Sequence, residues 1–363
     1  MRPKILYLVD NLLIGGAQMQ LARLVHGLGD QDFDLRVLAL GDTHPRLMQI
    51  IGARRVAVFP MMCIWKPGFW LSYQKVRHAV RAIKPDIVHT YLNTSNVFGG
   101  YTARQSKVPI IVTSRRDMGR FRSRRIAAME RWSNKFCHRV VCVSEAVKQQ
   151  TVANEGLDPA KAVVLYSGVE VPTAPQRDAS RGGALTVGMV ASADRVEKGH
   201  MDFLQVAREV YRKNREIRFV IVGDGHLRPE LERFADQEGI RPVVDFRGRS
   251  SDVPSEVRKF DIFVMPSHTE GFSNAVLEAM AMGVPVLANA LEGNLEIIDD
   301  GVNGMLVEPR NTAQMSGQIL AYAARRPDLR AMGERARAKI EAHFTLKHMV
   351  ERYKTFYNEL LNG

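Results

Sequence analysis

The sequence predicts an α/β protein of two Rossmann-like parallel-sheet domains, and three observations carry that prediction. Its 363 residues exceed the usual size of one hydrophobic core. Short β-rich apolar runs alternate with amphipathic helical patterns almost to the end, as they do when parallel strands are covered by helices on both faces. The alternation breaks once, near the middle, and then restarts.

In the first half the apolar runs fall at 5–9, 35–40, 55–59, 86–89, 110–113 and 140–143, with amphipathic stretches at 18–28, 70–83 and 146–154. Residues 171–183 have no periodicity and are rich in Pro, Gly, Ala and Arg, so they read as a linker. Runs resume at 185–190, 217–222, 243–246, 261–265, 285–288 and 304–307. A last helical pattern carries Met349, Tyr353, Phe356, Tyr357 and Leu360. The expected division is a first domain at 1–170, a linker at 171–183, a second domain at 184–343 and a C-terminal helix at 344–363. That helix either packs on the second domain or crosses back to the first; crossing back is the reading taken here. Two open sheets joined by one linker are expected to face each other across a cleft. Ligands of such sheets bind beyond the carboxyl ends of the strands.

Composition is that of a globular chain, 45% hydrophobic and 25% charged. No apolar run approaches the ~18 residues of a membrane-spanning helix. The opening Met1-Arg2-Pro3-Lys4 and its apolar run imitate a leader peptide, but Asp10 and Asn11 interrupt it early, so a buried first strand is expected. Cys63, Cys137 and Cys142 form neither a disulfide framework nor a zinc pattern, which fits a reducing cytosol. The net charge of +12 calls for an anionic partner: nucleic acid, a membrane face or phosphate-bearing small molecules. No zinc finger or RNA-binding aromatic motif supports the first.

The most informative segment is Met265-Pro266-Ser267-His268-Thr269-Glu270-Gly271-Phe272-Ser273-Asn274-Ala275-Val276-Leu277-Glu278, continuing to Gly283, Pro285 and Val286. A strand ends at Met265, a loop carries His268 and Glu270, and Ser273 or Asn274 caps a helix that Gly283 ends. The helix start offers N–H groups and a positive dipole end to a diphosphate. Asn274 and Glu278 are four apart on one helix face, so Glu270 and Glu278 both reach a ligand at the helix start. A second segment, 187–200, runs from a strand into a helix. There Arg195 and Lys198 can place two cations on a diphosphate at the bond that breaks. A third joins strand to helix through the tight turn Gly223-Asp224-Gly225, with Pro229 in the helix's first turn, and Arg247-Gly248-Arg249 follows the next strand. A fourth carries Glu292-Gly293-Asn294-Leu295-Glu296, where Glu296 reads equally well as a helix-start carboxylate.

In the first half, Gly15 and Gly16 join strand to helix and permit close backbone approach by a ligand. They do not follow the Gly-x-Gly-x-x-Gly dinucleotide fingerprint, which lowers a dehydrogenase reading. His89 stands at a strand end with Tyr91 two residues on. Arg115 and Arg116 end another strand, placed for an anionic acceptor. Arg120, Arg122, Arg124 and Arg125 with Phe121 suit a lipid headgroup surface, and the aromatic stretch from Trp65 to Trp70 could dip into the same interface. A solvated basic face with packed aromatics accounts for these residues equally well.

The pattern Ser-x-x-Glu270-Gly-Phe-x-x-x-x-Leu-Glu278-Ala-Met-Ala-x-Gly-x-Pro-Val resembles the signature of retaining glycosyltransferase family 4, the glycosyl transferases group 1, of the two-domain GT-B fold. The resemblance spans nearly the whole chain. It implies that Glu270 touches the donor sugar near the reacting carbon and that Glu278 holds the ribose. Backbone N–H groups of Gly271, Phe272 and Ser273, beside Asn274, would bind the diphosphate, and Arg195 with Lys198 would stabilise the leaving phosphate. It implies that Gly223, Asp224 and Gly225 lie near the nucleoside and the loop of Arg249 near the base. Gly15 and Gly16 would face the donor phosphate and acceptor, and His89 the sugar. The chain departs from the family pattern at Ser192, where many members carry the arginine, and at Tyr91, the second place of a His-x-His pair. It departs again at Ser167 in the Asn-Gly-Val-Asp turn and at Glu292, where a Gly-Gly pair loses its first glycine.

The implied activity is sugar transfer from a nucleotide-sugar donor, UDP- or GDP-linked, with retention by front-face displacement. The resemblance implies no metal and no cofactor, the nucleotide-sugar being a substrate. The implied partners are that donor, a glycan or lipid-linked acceptor and an anionic membrane surface, with no nucleic acid. The implied location is the cytoplasm, peripherally on the inner membrane face. Two other readings stay open: a sugar-nucleotide epimerase on the same architecture, and a non-catalytic nucleotide- or nucleic-acid-binding module.

Overall fold

The structure, a computed structural model, describes residues 2–61, 68–120, 123–173 and 183–363. The chain divides into two compact units, Met1–Gly168 with Leu346–Gly363, and Val169–Thr345.

The first unit is built on seven strands among the described residues: β1 (Lys4–Val9), β2 (Asp34–Ala39), β3 (Val56–Val58), β4 (Ile87–Tyr91), β5 (Ile110–Arg115), β6 (Arg139–Cys142) and β7 (Ala162–Val164). They pair in parallel in the order β3-β2-β1-β4-β5-β6-β7. Its helices are α1 (Gly16–Leu28), α2 (Pro45–Ile51), α3 (Phe69–Ile83), α4 (Gly100–Gln105), α5 (Arg124–Ser133) and α6 (Glu145–Glu155). Parallel strands covered on both faces must be apolar throughout, and every residue of β4 is buried. That strand runs two residues beyond the predicted stretch, because Thr90 and Tyr91 are also core. Strand β7 has no counterpart in the apolar runs. Its three residues are too few to show a period. Side-chain oxygens of Ser123 and Ser144 cap α5 and α6.

The second unit carries β8 (Thr186–Val190), β9 (Arg218–Val222), β10 (Val244–Gly248), β11 (Ile262–Met265), β12 (Val286–Asn289) and β13 (Gly304–Val307), parallel in the order β10-β9-β8-β11-β12-β13. Around it lie α7 (His200–Lys213), α8 (Arg228–Gln237), α9 (Val253–Val257), α10 (Asn274–Ala281), α11 (Glu292–Leu295), α12 (Thr312–Ala323) and α13 (Arg326–His343). Val169 donates its N–H to Phe344 O at 2.9 Å and bridges to Thr345, so this unit's two ends lie side by side.

The last helix, α14 (Leu346–Asn362), belongs to the first unit and packs on α1. Its buried face, Met349, Tyr353, Phe356 and Tyr357, joins the core that holds Tyr7, Ile87 and Tyr91. In both sheets the strand order reverses once, between β1 and β4 and between β8 and β11. At such a point neighbouring loops diverge to opposite faces and leave a crevice above the carboxyl ends of the strands.

Candidate functional site

The second unit's switch point brings the two strongest sequence segments together. β8 pairs with β11, Val187 beside Ile262 and Gly188 beside Phe263. The loops leaving these strands carry Lys198 and Glu270, 72 residues apart in the chain. Lys198 Nζ donates to Glu270 Oε1 at 2.8 Å. Glu270 is buried and Lys198 only 23% exposed. Gly199, at φ 74°, lies where a Cβ would stand 2.2 Å from Pro266 O. Only glycine lets the two loops come this close. His268 N donates to Glu197 O at 2.8 Å, and His268 Nε2 meets Asp202 Oδ2 at 2.7 Å, which fastens the loop after β11 to the first turn of α7.

Four residues after Glu270 the chain enters α10. Ser273 holds the N-cap position in extended backbone, but its side chain makes no capping bond, contrary to the role expected of it. Phe272 and Ser273 are buried, Phe272 against Phe344 with ring centroids 5.6 Å apart. Asn274 and Glu278 are half-buried, one turn apart. At the other end Gly283 takes φ 72°, as a helix-terminating glycine does.

Arg195 is 57% exposed and pairs with Glu197 at 2.5 Å. Burial opposes ionisation of Glu197. Its own backbone N–H, Arg195 and Lys198 outweigh that and hold its pKa below the ordinary value. The Gly-Asp-Gly turn packs under the same loop. Gly223 has φ 141°, and a Cβ there would fall 1.8 Å from Ala191 O. A Cβ on Gly225 would fall 2.3 Å from the Ala193 carbonyl carbon, and Asp194 accepts from His226 N at 2.9 Å. Asp224 and Arg228 stand 3.8 Å apart, and Arg249 is exposed just past β10.

In the first unit, Asp10 accepts the N–H groups of Thr94 (2.9 Å) and Ser95 (2.6 Å), tying the loop after β1 to the one after β4. Gly15 is the uncapped N-cap of α1 and Gly16 its first residue. Two expected site residues are not placed for a ligand. His89 is fully buried, with Nδ1 2.7 Å from Tyr357 Oη and Nε2 2.8 Å from Ser114 Oγ, so neither ring nitrogen is left for a sugar. Tyr91, at the second place of the expected histidine pair, turns into the same core and meets Tyr353 Oη at 3.2 Å. Arg115 is not an acceptor contact either. It is buried, and its Nη2 pairs with Glu155 Oε2 at 2.7 Å and donates to Asn134 Oδ1 at 2.9 Å. A buried guanidinium must be matched this way, and releasing it to a ligand would strand Glu155. Arg116 is half-buried, bonded to Ser167 Oγ at 2.8 Å and stacked 5.8 Å over Tyr91. Arg120, Arg124 and Arg125 are exposed. Arg122 and Phe121, the stretch from Trp65 to Pro67, and Cys63 lie outside the described residues.

Burial, with the charge of Arg116 second, pushes the His89 pKa down from 6.5 to about 3. A lowered folded pKa means that the unfolded chain takes up the proton first as pH falls. The stabilisation is therefore complete above pH 6.5 and drains away towards pH 3. At about 1.4 kcal/mol per pH unit, acidifying from neutrality to pH 5 should cost the first unit about 2 kcal/mol. Urea titrations of wild type and His89→Asn at both pH values check this. The acid loss should be smaller by that amount in the variant, and equal losses would show that His89 already titrates normally.

The Asp202–His268 clasp is not legible in the sequence. The signal was present, a histidine two residues before Glu270 and a carboxylate four after Lys198, but only the pairing of β8 with β11 makes them neighbours.

Two parallel, doubly wound sheets, the second with a cation–carboxylate pair in the loops at its switch point, define the GT-B class of fold. Residues 14–171 match the family described as Glycosyltransferase Family 4, and residues 184–325 the family described as Glycosyl transferases group 1. The chain belongs to these family 4 glycosyltransferases. It is 32% identical over 179 residues to alpha-D-kanosaminyltransferase of Streptomyces kanamyceticus, covering 48% of this chain and 45% of that protein. It is 24% identical over 296 residues to the Escherichia coli UDP-Gal:alpha-D-GlcNAc-diphosphoundecaprenol alpha-1,3-galactosyltransferase, covering 77% of this chain and 76% of that one. The match thus spans less than half the length of the first relative. Among solved structures, Anabaena HepE in complex with UDP and glucose superposes with a TM-score of 0.86 at 19% identity, over 98% of this chain and 100% of that one. Among the described residues, no helix is long and apolar enough to cross a membrane.

Proposed function

We propose that this chain transfers a sugar from a nucleoside diphosphate donor, UDP- or GDP-linked, to a hydroxyl of a glycan or lipid-linked acceptor, with retention at the anomeric carbon. The observation that carries the reading is the Lys198–Glu270 pair, formed between the loops that leave β8 and β11, in the loop that leads into α10. In this reading the diphosphate sits on that helix end. Lys198 meets the leaving phosphate, Glu270 the sugar hydroxyls and Glu278 the ribose. Arg195 joins Lys198 by leaving Glu197, at small cost because an exposed ion pair is worth only about 0–1 kcal/mol. The anomeric carbon–phosphate oxygen bond breaks, and the acceptor oxygen bonds to that carbon on the same face. The acceptor's proton passes to the departing phosphate. Positive charge from Lys198, Arg195 and the helix end grows more effective as the phosphate gains charge. Because these groups supply that charge, turnover is expected to persist in excess EDTA.

The names of two similar proteins support the donor and acceptor classes: HepE was solved with UDP and glucose, and the E. coli relative is named for a UDP-sugar donor and a lipid diphosphate acceptor. A panel of UDP-, GDP- and ADP-sugars, read by thermal shift and then by nucleotide release with and without acceptor, tests the reading. Donor converted without acceptor or nucleotide release would point to an epimerase, and binding without turnover to a non-catalytic module. Glu278→Gln should weaken nucleotide binding by about 10- to 100-fold, the worth of a charged hydrogen bond, with little change in kcat. Calorimetric titration with the nucleotide diphosphate alone measures it.

A further inference from the structure

The loop after β8, with the first turn of α7, is tied to the loop after β11 by three hydrogen bonds of different kinds. Lys198 Nζ to Glu270 Oε1, at 2.8 Å, uses the two side chains of the candidate site. His268 N to Glu197 O, at 2.8 Å, is backbone. Asp202 Oδ2 to His268 Nε2, at 2.7 Å, uses two side chains that the transfer itself does not call on. Both of these are largely buried, 18% and 21% exposed. An ionised carboxylate only accepts, so Nε2 carries the proton and the ring is held in one orientation.

The surroundings leave Glu270 dependent on this third bond. Behind the loop, Asn289 Nδ2 donates to Ser267 O at 2.9 Å. Gly293 lies so close that a Cβ there would stand 2.5 Å from Gly271 O. Residues 267 and 271 are therefore held from the side of β12, and His268 from the side of α7. Glu270 stands two residues from His268, and Lys198 stands four before Asp202, across Gly199.

We propose that Asp202 and His268 are positioning residues, which keep Lys198 and Glu270 in register while a donor occupies them. The inference rests on the glycosyl-transfer reading. On that reading the diphosphate takes Lys198 and the sugar takes Glu270, so their mutual bond weakens as the donor arrives. The resting pair can no longer align the two loops. The backbone bond of His268 is one point, about which the loop can still turn. The imidazole fixed on α7 is a second point and removes that freedom. A misplacement of about 1 Å in a reacting group can cost about 10²-fold in rate, and such groups hold their place only through supporting neighbours. An ion pair serving stability alone, partly exposed as this one is, would contribute little.

The test uses the full chain with Asp202→Ala, His268→Ala, the two combined, and His268→Gln, whose amide can still donate to Asp202. Turnover is measured with the donor that wild type uses, and calorimetry gives the dissociation constant of the free nucleoside diphosphate. Each alanine variant should lower kcat by about 10- to 100-fold while that dissociation constant moves by less than about threefold. The combined variant should be no slower than the singles, because the two residues act as one unit, and His268→Gln should recover most of the rate. Melting curves close to wild type show that the variants are folded. Alanine variants within about twofold of wild-type kcat, or a combined loss equal to the product of the single losses, would overturn the proposal.

A second measurement needs no donor. Amide hydrogen exchange over residues 266–271 reads how firmly the loop is held. With Lys198 present, Asp202→Ala should speed that exchange by less than about threefold, since the Lys198–Glu270 bond still spans the loops. In Lys198→Ala the same change removes the last of the two side-chain links and should speed it by more than about tenfold. Equal effects in both backgrounds would also overturn the proposal. If wild type turned over no donor, the transferase reading would fail, and hydrogen exchange would still decide whether the clasp holds the loop.

Discussion

Replacing Lys198 with alanine is expected to lower turnover by about two to three orders of magnitude, the usual consequence of removing one donor aimed at developing negative charge. Loss of a resting ion pair alone would not do this. Lys198 is committed to Glu270 at 2.8 Å, and on the proposed reading a donor diphosphate would share or displace that contact. Binding should therefore gain little from Lys198, because what the phosphate wins Glu270 gives up. The departing phosphate carries more charge than the bound donor and gains more. The split is the signature: kcat falls by the full factor while the dissociation constant for the free nucleotide diphosphate changes by less than about tenfold.

The same substitution leaves Glu270, 8% exposed, without its cation. A buried unpaired carboxylate costs several kcal/mol, but Lys198 is itself 23% exposed, so its removal lets water reach the carboxylate and about 1–2 kcal/mol is the expectation. For a unit of this size that moves Tm by about 2–8 °C. Glu270→Gln removes the other charge, and a double-mutant cycle closes the argument. Stability effects should be strongly non-additive because the two residues touch, whereas each single variant should already have lost most activity. Near-normal kcat in Lys198→Ala would remove the lysine from the chemistry, whatever the melting curves show.

How much of this was legible in the sequence depended on whether a residue's partner was local. The strand positions were readable because parallel strands buried on both faces must be apolar runs, and the seams β8–α7 and β11–α10 were readable as strand–loop–helix units. That Lys198 and Glu270 meet followed from both loops leaving the same edge of adjoining strands. His89 and Arg115 also stand at strand ends, and there position misleads. Their side chains point into the protein towards Tyr357, 268 residues on, and Glu155, 40 residues on. A period of two tells which residues share a face of the sheet, not which face a distant helix will cover. Tyr91 looked like a failed ligand for the same reason, and the structure makes it the floor on which α14 rests.

Removing α14 by ending the chain at Thr345 is expected to unfold the first unit and leave the second folded. The helix contributes Met349, Tyr353, Phe356 and Tyr357 to the core, at most 5% exposed. At about 1.5–3 kcal/mol for each large side chain buried, they supply roughly 6–12 kcal/mol, as much as the whole stability of a typical domain. Polar contacts add to the loss. Tyr357 Oη bonds both Tyr7 Oη, at 2.9 Å, and His89 Nδ1, so truncation leaves two buried groups unsatisfied at about 1–3 kcal/mol each. Tyr357→Phe isolates that second part and should cost the first unit about 2–6 kcal/mol without opening a cavity. The expected calorimetric result is one missing transition in the truncated chain, with the second unit's transition retained, and limited proteolysis that spares residues 183–345. Two transitions in the truncated chain would show that the seven-stranded sheet closes its core without the helix. Because the missing piece lies at the far end of the chain, the first unit cannot complete its fold until the second has been made. Refolding should accordingly show the first unit's aromatic core forming last, a cost of long loop closure that strand pairing alone would not impose.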